Sequence, residues 1–198
     1  MDENKKIIVE KMIAYEKRLI SPDHNFNEDT LCAWILEACE FAFDNFKEKD
    51  TFFAFEYLYE YRVATVGLRL MMGLKKFYPQ LKSSKKVVDT ILAVIENEKY
   101  GGGRHDFVLV LWENRLDIPF IQIVQKCSDF WENPRFASTI IWGLVRRKIA
   151  GFAPQIQAAL RRFTDKRGLH LDIRKDCQKY LANEPKYKHF SIFLQKQK

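Results

Sequence analysis

Residues 117–148, DIPFIQIVQKCSDFWENPRFASTIIWGLVRRK, decide how the chain reads. Asp117-Ile118-Pro119 has the form of a helix start, with an acidic N-cap and a proline just inside, where a missing N–H does no harm. The apolar side chains that follow (Phe120, Ile123, Val124, Cys127, Trp131) recur at the spacing of one helix face. Asn133-Pro134 repeats the start signal, and Phe136, Ala137, Ile140, Ile141, Leu144 and Val145 form a second stripe. The stretch is two helices joined by a short turn.

The same pattern extends in both directions. Downstream, Ala153-Pro154 introduces Ile156, Ala159, Leu160 and Phe163, and a last helix carries Ile173, Cys177, Tyr180 and Leu181 before Pro185. Upstream, a helix from Ser84 with Val88, Ile91, Leu92 and Ile95 ends at Gly101-Gly102-Gly103. Phe107 to Trp112 is an unbroken apolar run that fits a buried strand or a helix; helix is favoured because no strand partner is evident elsewhere. Nearer the N-terminus, Ile8, Met12, Tyr15 and Leu19 mark a first helix. Leu31, Trp34, Ile35, Ala38, Cys39, Ala42 and Phe46 mark a second, capped by Asn27. A third runs from after Asp50 to about Phe77, apolar on most faces and so central, with Gly67 and Gly73 expected to bend or divide it.

The expected class is therefore all-α, about nine helices in a single domain of 198 residues. Pro119 and Pro154 stand 35 residues apart, and a helix start near Lys85 lies about one interval earlier. Three helix pairs, 84–115, 117–148 and 152–182, follow an irregular aromatic cap at 1–83 and precede a basic tail at 183–198. In period and two-helix unit they resemble degenerate HEAT-like repeats, with Phe107-Val108, Phe136-Ala137 and Ile173 near the starts of the second helices. The resemblance covers half the chain and implies antiparallel pairs stacked as a short α-solenoid. An irregular helical bundle is the competing architecture.

Composition sets the outer limits. Apolar residues make up 47% and charged residues 30%, an ordinary globular balance. The chain lacks a signal-peptide pattern, its longest strictly apolar run is too short to span a bilayer, and its four cysteines form no C-x-x-C pair. Free thiols in a reducing cytoplasm are the expectation. Net charge is +7, unevenly placed: residues 1–60 hold seven Lys/Arg against fourteen Asp/Glu, and residues 135–198 hold fifteen against four.

Candidates for chemistry are few. The histidines at 24, 105, 170 and 189 have no metal-ligand spacing, so neither a metal nor a cofactor is expected. Glu56 and Glu60 lie one turn apart near Arg62 and Arg69, a pairing more often structural than acid–base. The glycine-rich turn before Arg104-His105-Asp106 lacks a phosphate-loop pattern and reads as an inter-helix reversal. No enzyme class is indicated.

The basic clusters carry more. Arg146-Arg147-Lys148, Arg161-Arg162 and Lys166-Arg167 sit at helix ends, where cations complement the helix dipole. Arg174, Lys175 and the tail lysines lie beyond that explanation. Trp142 falls about 150° from the centre of its helix's apolar stripe, either packed against another layer or exposed beside Arg135 and Arg146. In HEAT-like proteins the second helices line a concave surface. The resemblance thus implies a protein-binding face comprising Arg104, His105, Arg135, Trp142, Arg146, Arg174 and Lys175. Immunity proteins that neutralise a toxin by covering its active site are one such kind of module. The alternative is nucleic-acid binding, as in HEAT-like DNA glycosylases, although the chain lacks a Trp-Ala-Trp-like segment and a matching catalytic Asp. A scaffolding protein that self-associates through the aromatic segment 52–61 is a third.

Overall fold

The computed structural model describes residues 3–20, 27–45, 63–76, 83–163 and 171–190. Among them stand nine α-helices and no strand: α1 (Glu3–Ile20), α2 (Glu28–Asn45), α3 (Val63–Lys76), α4 (Lys85–Glu96), α5 (Arg104–Glu113), α6 (Asp117–Lys126), α7 (Pro134–Arg147), α8 (Ala153–Arg162) and α9 (Leu171–Asn183). None is long and apolar enough to cross a membrane. The Glu56–Glu60 pair, Arg62 and the aromatic segment 52–61 lie outside the described residues. The chain forms two compact units, residues 1–114 and 115–198. Their boundary falls between the first and second of the three expected helix pairs.

The first unit holds α1 to α5. Its helices pack on near neighbours in the chain: α1 on α2 and α3, α2 on α3 and α4, and both α3 and α4 on α5. The contact of α3 with α5 is the most extensive, and α5 explains why its sequence reads ambiguously. Phe107, Val108, Val110, Leu111 and Trp112 are all buried, so the helix is apolar on most sides and shows no amphipathic period. Gly67 and Gly73 do not divide α3. They are points of close approach, where a Cβ would stand 3.0 Å from the Phe107 ring and 2.2 Å from the Leu19 carbonyl oxygen.

Local caps follow the sequence signals where a side-chain oxygen is available. Asn27 Oδ1 accepts from the Thr30 N–H at 2.9 Å, and Ser84 Oγ accepts from Val87 at 3.4 Å. The glycine run forms part of a 3-10 turn over Glu98–Gly103, with Gly101 at φ +49°, a region open to glycine without strain. Arg104 then reaches back, its Nε donating to the Ile95 carbonyl at 2.6 Å, which satisfies an acceptor in the last turn of α4.

Carboxylates of the N-terminal helices find partners inside this unit. Glu16 lies 3.6 Å from Arg69, and Tyr15 donates to Glu37. Lys86 pairs with Asp29 at 2.6 Å, while Lys99 and Tyr100 both donate to Glu40, at 2.6–2.7 Å. The acidity read over residues 1–60 is thus offset by later helices. The whole unit carries sixteen Lys/Arg and nineteen Asp/Glu, against seventeen and seven in residues 115–198.

The second unit is organised around α7. Asn133 caps it, its Oδ1 accepting from Arg135 at 2.9 Å and Phe136 at 3.4 Å, with Pro134 in the first turn. Phe130, in the 3-10 turn Ser128–Trp131, stacks on Phe136 with ring centroids 4.3 Å apart. From the other end of the sequence, α9 packs on both α7 and α8. Asp117 does not cap α6. Its carboxylate instead accepts from Arg147 Nε at 2.7 Å and Nη2 at 3.1 Å, tying the start of α6 to the last turn of α7.

Candidate functional site

The outer edge of α7 is defined by what its packing leaves over. Phe136, Ala137, Thr139, Ile140, Ile141, Gly143, Leu144 and Val145 are buried, which takes up most of the helix circumference. Arg135, Ser138, Trp142 and Arg146 escape burial, and their spacing of three or four residues sets them in one line along the surface. Arg135 and Arg146 are exposed; Ser138 and Trp142 are half-buried. The Arg146 guanidinium lies over the Trp142 indole, 4.6 Å from the ring centroid, a cation–π contact across one helical turn. Arginine thus holds the indole in place and keeps a charge beside it.

Trp142 is half-buried, between the two positions its place on the wheel allowed, packed against another layer or exposed. Arg135 and Arg146 flank it as expected. The other four sequence candidates belong to other elements. Arg104 and His105 belong to the first unit, where Arg104 is buried against Ile95 and His105 Nδ1 lies 3.2 Å from the buried Asp106 carboxylate. Arg174 is half-buried, and its Nη2 donates to the Phe163 carbonyl at the end of α8, a C-terminal capping role. Lys175 is exposed on α9.

The C-terminal end of α7 is closed by residues outside the sequence candidates. Lys148 takes the left-handed conformation at φ +53°, and Ile149 N–H donates to Leu144 at 3.0 Å, closing α7 in the manner of a Schellman motif. The corner that follows is held from the far end of the chain. Tyr180 Oη donates to the Ile149 carbonyl at 2.8 Å and accepts from the Phe152 N–H at 3.2 Å. Glu184 Oε1 accepts from the Gly151 N–H at 2.7 Å. Lys188 completes a parallel bridge, donating its N–H to Lys148 at 2.8 Å and accepting from Ala150 at 2.9 Å. Burial drives the Tyr180 hydroxyl well above the usual tyrosine range, so it remains a donor throughout physiological pH. Tyr187 packs edge-on against the Tyr180 ring, with centroids 5.3 Å apart. Nothing in the local sequence of 184–190 signals this docking; it depends on a partner 40 residues away.

The arrangement is suited to holding an anion-rich surface around an aromatic contact. Neither α7 nor its closing residue Lys148 contributes a carboxylate, and the one acidic residue of the docked segment, Glu184, is committed to Gly151. Among the described residues, no group of three or more His, Cys, Asp or Glu side chains gathers in a metal-binding cluster. Comparison with protein-family models, with curated proteins and with solved structures finds no significant match to this chain.

Proposed function

We propose that the chain is a HEAT-like protein-binding module whose basic second unit holds an acidic protein partner along the outer edge of α7. The observation that carries this reading is the line Arg135–Ser138–Trp142–Arg146, with the Arg146 guanidinium over the indole. Tryptophan and arginine dominate interface energetics because they contribute large contact area together with directed polar groups. An excess of cations across the unit supplies long-range attraction for a carboxylate-bearing face. The four free cysteines suit a reducing cytoplasm. A toxin covered by an immunity protein is one partner of the required kind.

The stacked indole in a cationic setting also favours a second reading, a single-stranded nucleic-acid platform. Binding of a short polyglutamate peptide and of a single-stranded oligonucleotide, followed by tryptophan fluorescence at two salt concentrations, separates the two. The protein-binding reading expects salt-sensitive peptide binding that weakens at least tenfold, about 1.4 kcal/mol, in Trp142→Ala or Arg146→Ala. Binding of the oligonucleotide without the peptide overturns it in favour of the second. Binding of neither removes both.

A further inference from the structure

We infer that Arg146 is a fork for one carboxylate of the partner, held by Trp142, so that the α7 edge recognises an aspartate or glutamate side chain by shape as well as by charge. This rests on the reading of the α7 edge as a surface for an acidic protein, and it specifies the chemical group that edge accepts.

The last turn of α7 carries two adjacent arginines in different surroundings. Arg147 meets Asp117, its Nε and Nη2 donating to the two carboxylate oxygens at 2.7 and 3.1 Å. Arg146 is exposed, with its guanidinium carbon 4.6 Å from the centre of the Trp142 ring, and among the described residues no carboxylate pairs with it. The helix end does not engage it either, because the Leu144 and Val145 carbonyls take the Ile149 and Lys148 N–H groups at 3.0 and 3.3 Å. Elsewhere in the second unit, Arg162 pairs with Glu132 and Arg174 donates to the Phe163 carbonyl. Arg146 is thus a guanidinium held in place with hydrogen-bonding capacity to spare.

The chemistry of that capacity is narrow. A guanidinium is planar and carries five N–H donors in a fixed fork. The indole takes one side of the group, and the donors on the side away from the ring still include a parallel pair that matches the two oxygens of a carboxylate. Arg147 makes that same two-point contact inside the molecule. Holding the Arg146 side chain against the ring beforehand lowers the entropy lost when the pair closes. A lysine here would bring the same charge and the same attraction to the ring, but a single ammonium without the fork. Trp142 acts on the partner's carboxylate through Arg146 and is, in that respect, a positioning residue.

The test follows a fluorescently labelled polyglutamate peptide by anisotropy at two salt concentrations, on the full chain and with a thermal melt of every variant. Arg146→Lys should melt like the parent and keep its salt dependence, yet bind about fivefold or more weakly, close to the loss in Arg146→Ala. In a Trp142→Leu background no ring holds the group, and adding Arg146→Lys should then cost less than about twofold. If Arg146→Lys binds like the parent while Arg146→Ala weakens, the position supplies charge alone; the fork is overturned and the α7 face stands. If Arg146→Lys weakens and loses salt dependence as Arg146→Ala does, its charge has left the edge, and the fork is again overturned. If Arg146→Lys costs as much without the indole as with it, the positioning role of Trp142 is overturned. If Arg146→Ala and Trp142→Leu both bind like the parent, the face itself is overturned.

Discussion

Gly73 of α3 lies against the backbone of α1, where a Cβ would stand 2.2 Å from the carbonyl oxygen of Leu19. No side-chain rearrangement relieves that clash, because the obstructing atom is main chain. Gly73→Ala should therefore destabilise the first unit by about 2–3 kcal/mol, the penalty of overpacking a helix contact, even though alanine is intrinsically better in a helix by about 1 kcal/mol. Gly67→Ala meets the buried Phe107 ring at 3.0 Å and the Asp106 backbone at 3.2 Å, a smaller overlap than at Gly73, and should cost less. Urea denaturation of both variants checks the order; an unchanged or raised midpoint for Gly73→Ala would show that α1 and α3 do not approach this closely.

These glycines also mark where sequence reading stops. Apolar spacing placed the helices well, and Asn27, Ser84 and Asn133 cap them as their residue types suggest, because both signals act within one turn of the chain. Tertiary contacts are invisible at that range. A glycine that bends a helix and a glycine that admits a neighbour look alike until the neighbour is known. Asp117 reads as a cap yet serves Arg147, 30 residues on. Arg104 reads as a surface cation yet satisfies a carbonyl of the preceding helix. The periodicity of α7 marks Arg135, Ser138, Trp142 and Arg146 as one edge of the helix, whereas the docking of residues 184–188 against the corner after α7 leaves no local trace.

The Asp117–Arg147 pair should be a measurable stabiliser of the second unit. It is bidentate and well shielded, with side-chain exposures of 15% and 22%, and Asp117 holds the Arg147 guanidinium above its already high range. Two charge-assisted hydrogen bonds in such a setting exceed the usual worth of a surface pair. Asp117→Ala should cost about 2 kcal/mol, part of it the loss of a negative charge at the α6 N-terminus. A double-mutant cycle with Arg147→Ala should return a coupling of about 1–2 kcal/mol; a coupling near zero would reduce the pair to a surface ornament.

Stability against pH should show two opposed arms from two glutamates of the first unit. Burial is the main effect on Glu16 and raises its carboxyl above the ordinary range, with Arg69 opposing only in part. The folded state then binds a proton more readily than the unfolded chain. Stability should rise as pH falls from neutral through the folded Glu16 value toward the ordinary glutamate range. Glu40 behaves in the opposite sense, because hydrogen bonds from Lys99 and Tyr100 favour its ionised form. Its contribution is complete above the ordinary range and is lost as pH falls further, through the folded Glu40 value. Glu16→Gln should flatten the upper arm and Glu40→Gln the lower one in denaturation midpoints measured across pH. A Glu16→Gln profile that keeps the parent's rise on acidification would assign that arm to another group.

Lys148 closes α7 in a backbone conformation that a side chain resists. It occupies the left-handed position that closes α7, at φ +53°, where a side chain costs roughly 1 kcal/mol that glycine avoids. Glycine also gives the unfolded chain more freedom, which offsets part of the gain. Lys148→Gly should therefore leave the protein as stable as the parent, or more stable by up to about 1 kcal/mol, since its carbonyl still receives Lys188 N–H. Thermal and urea midpoints of the variant check this; a protein less stable than the parent by more than about 1 kcal/mol would show that the lysine side chain contributes to the helix end beyond its backbone.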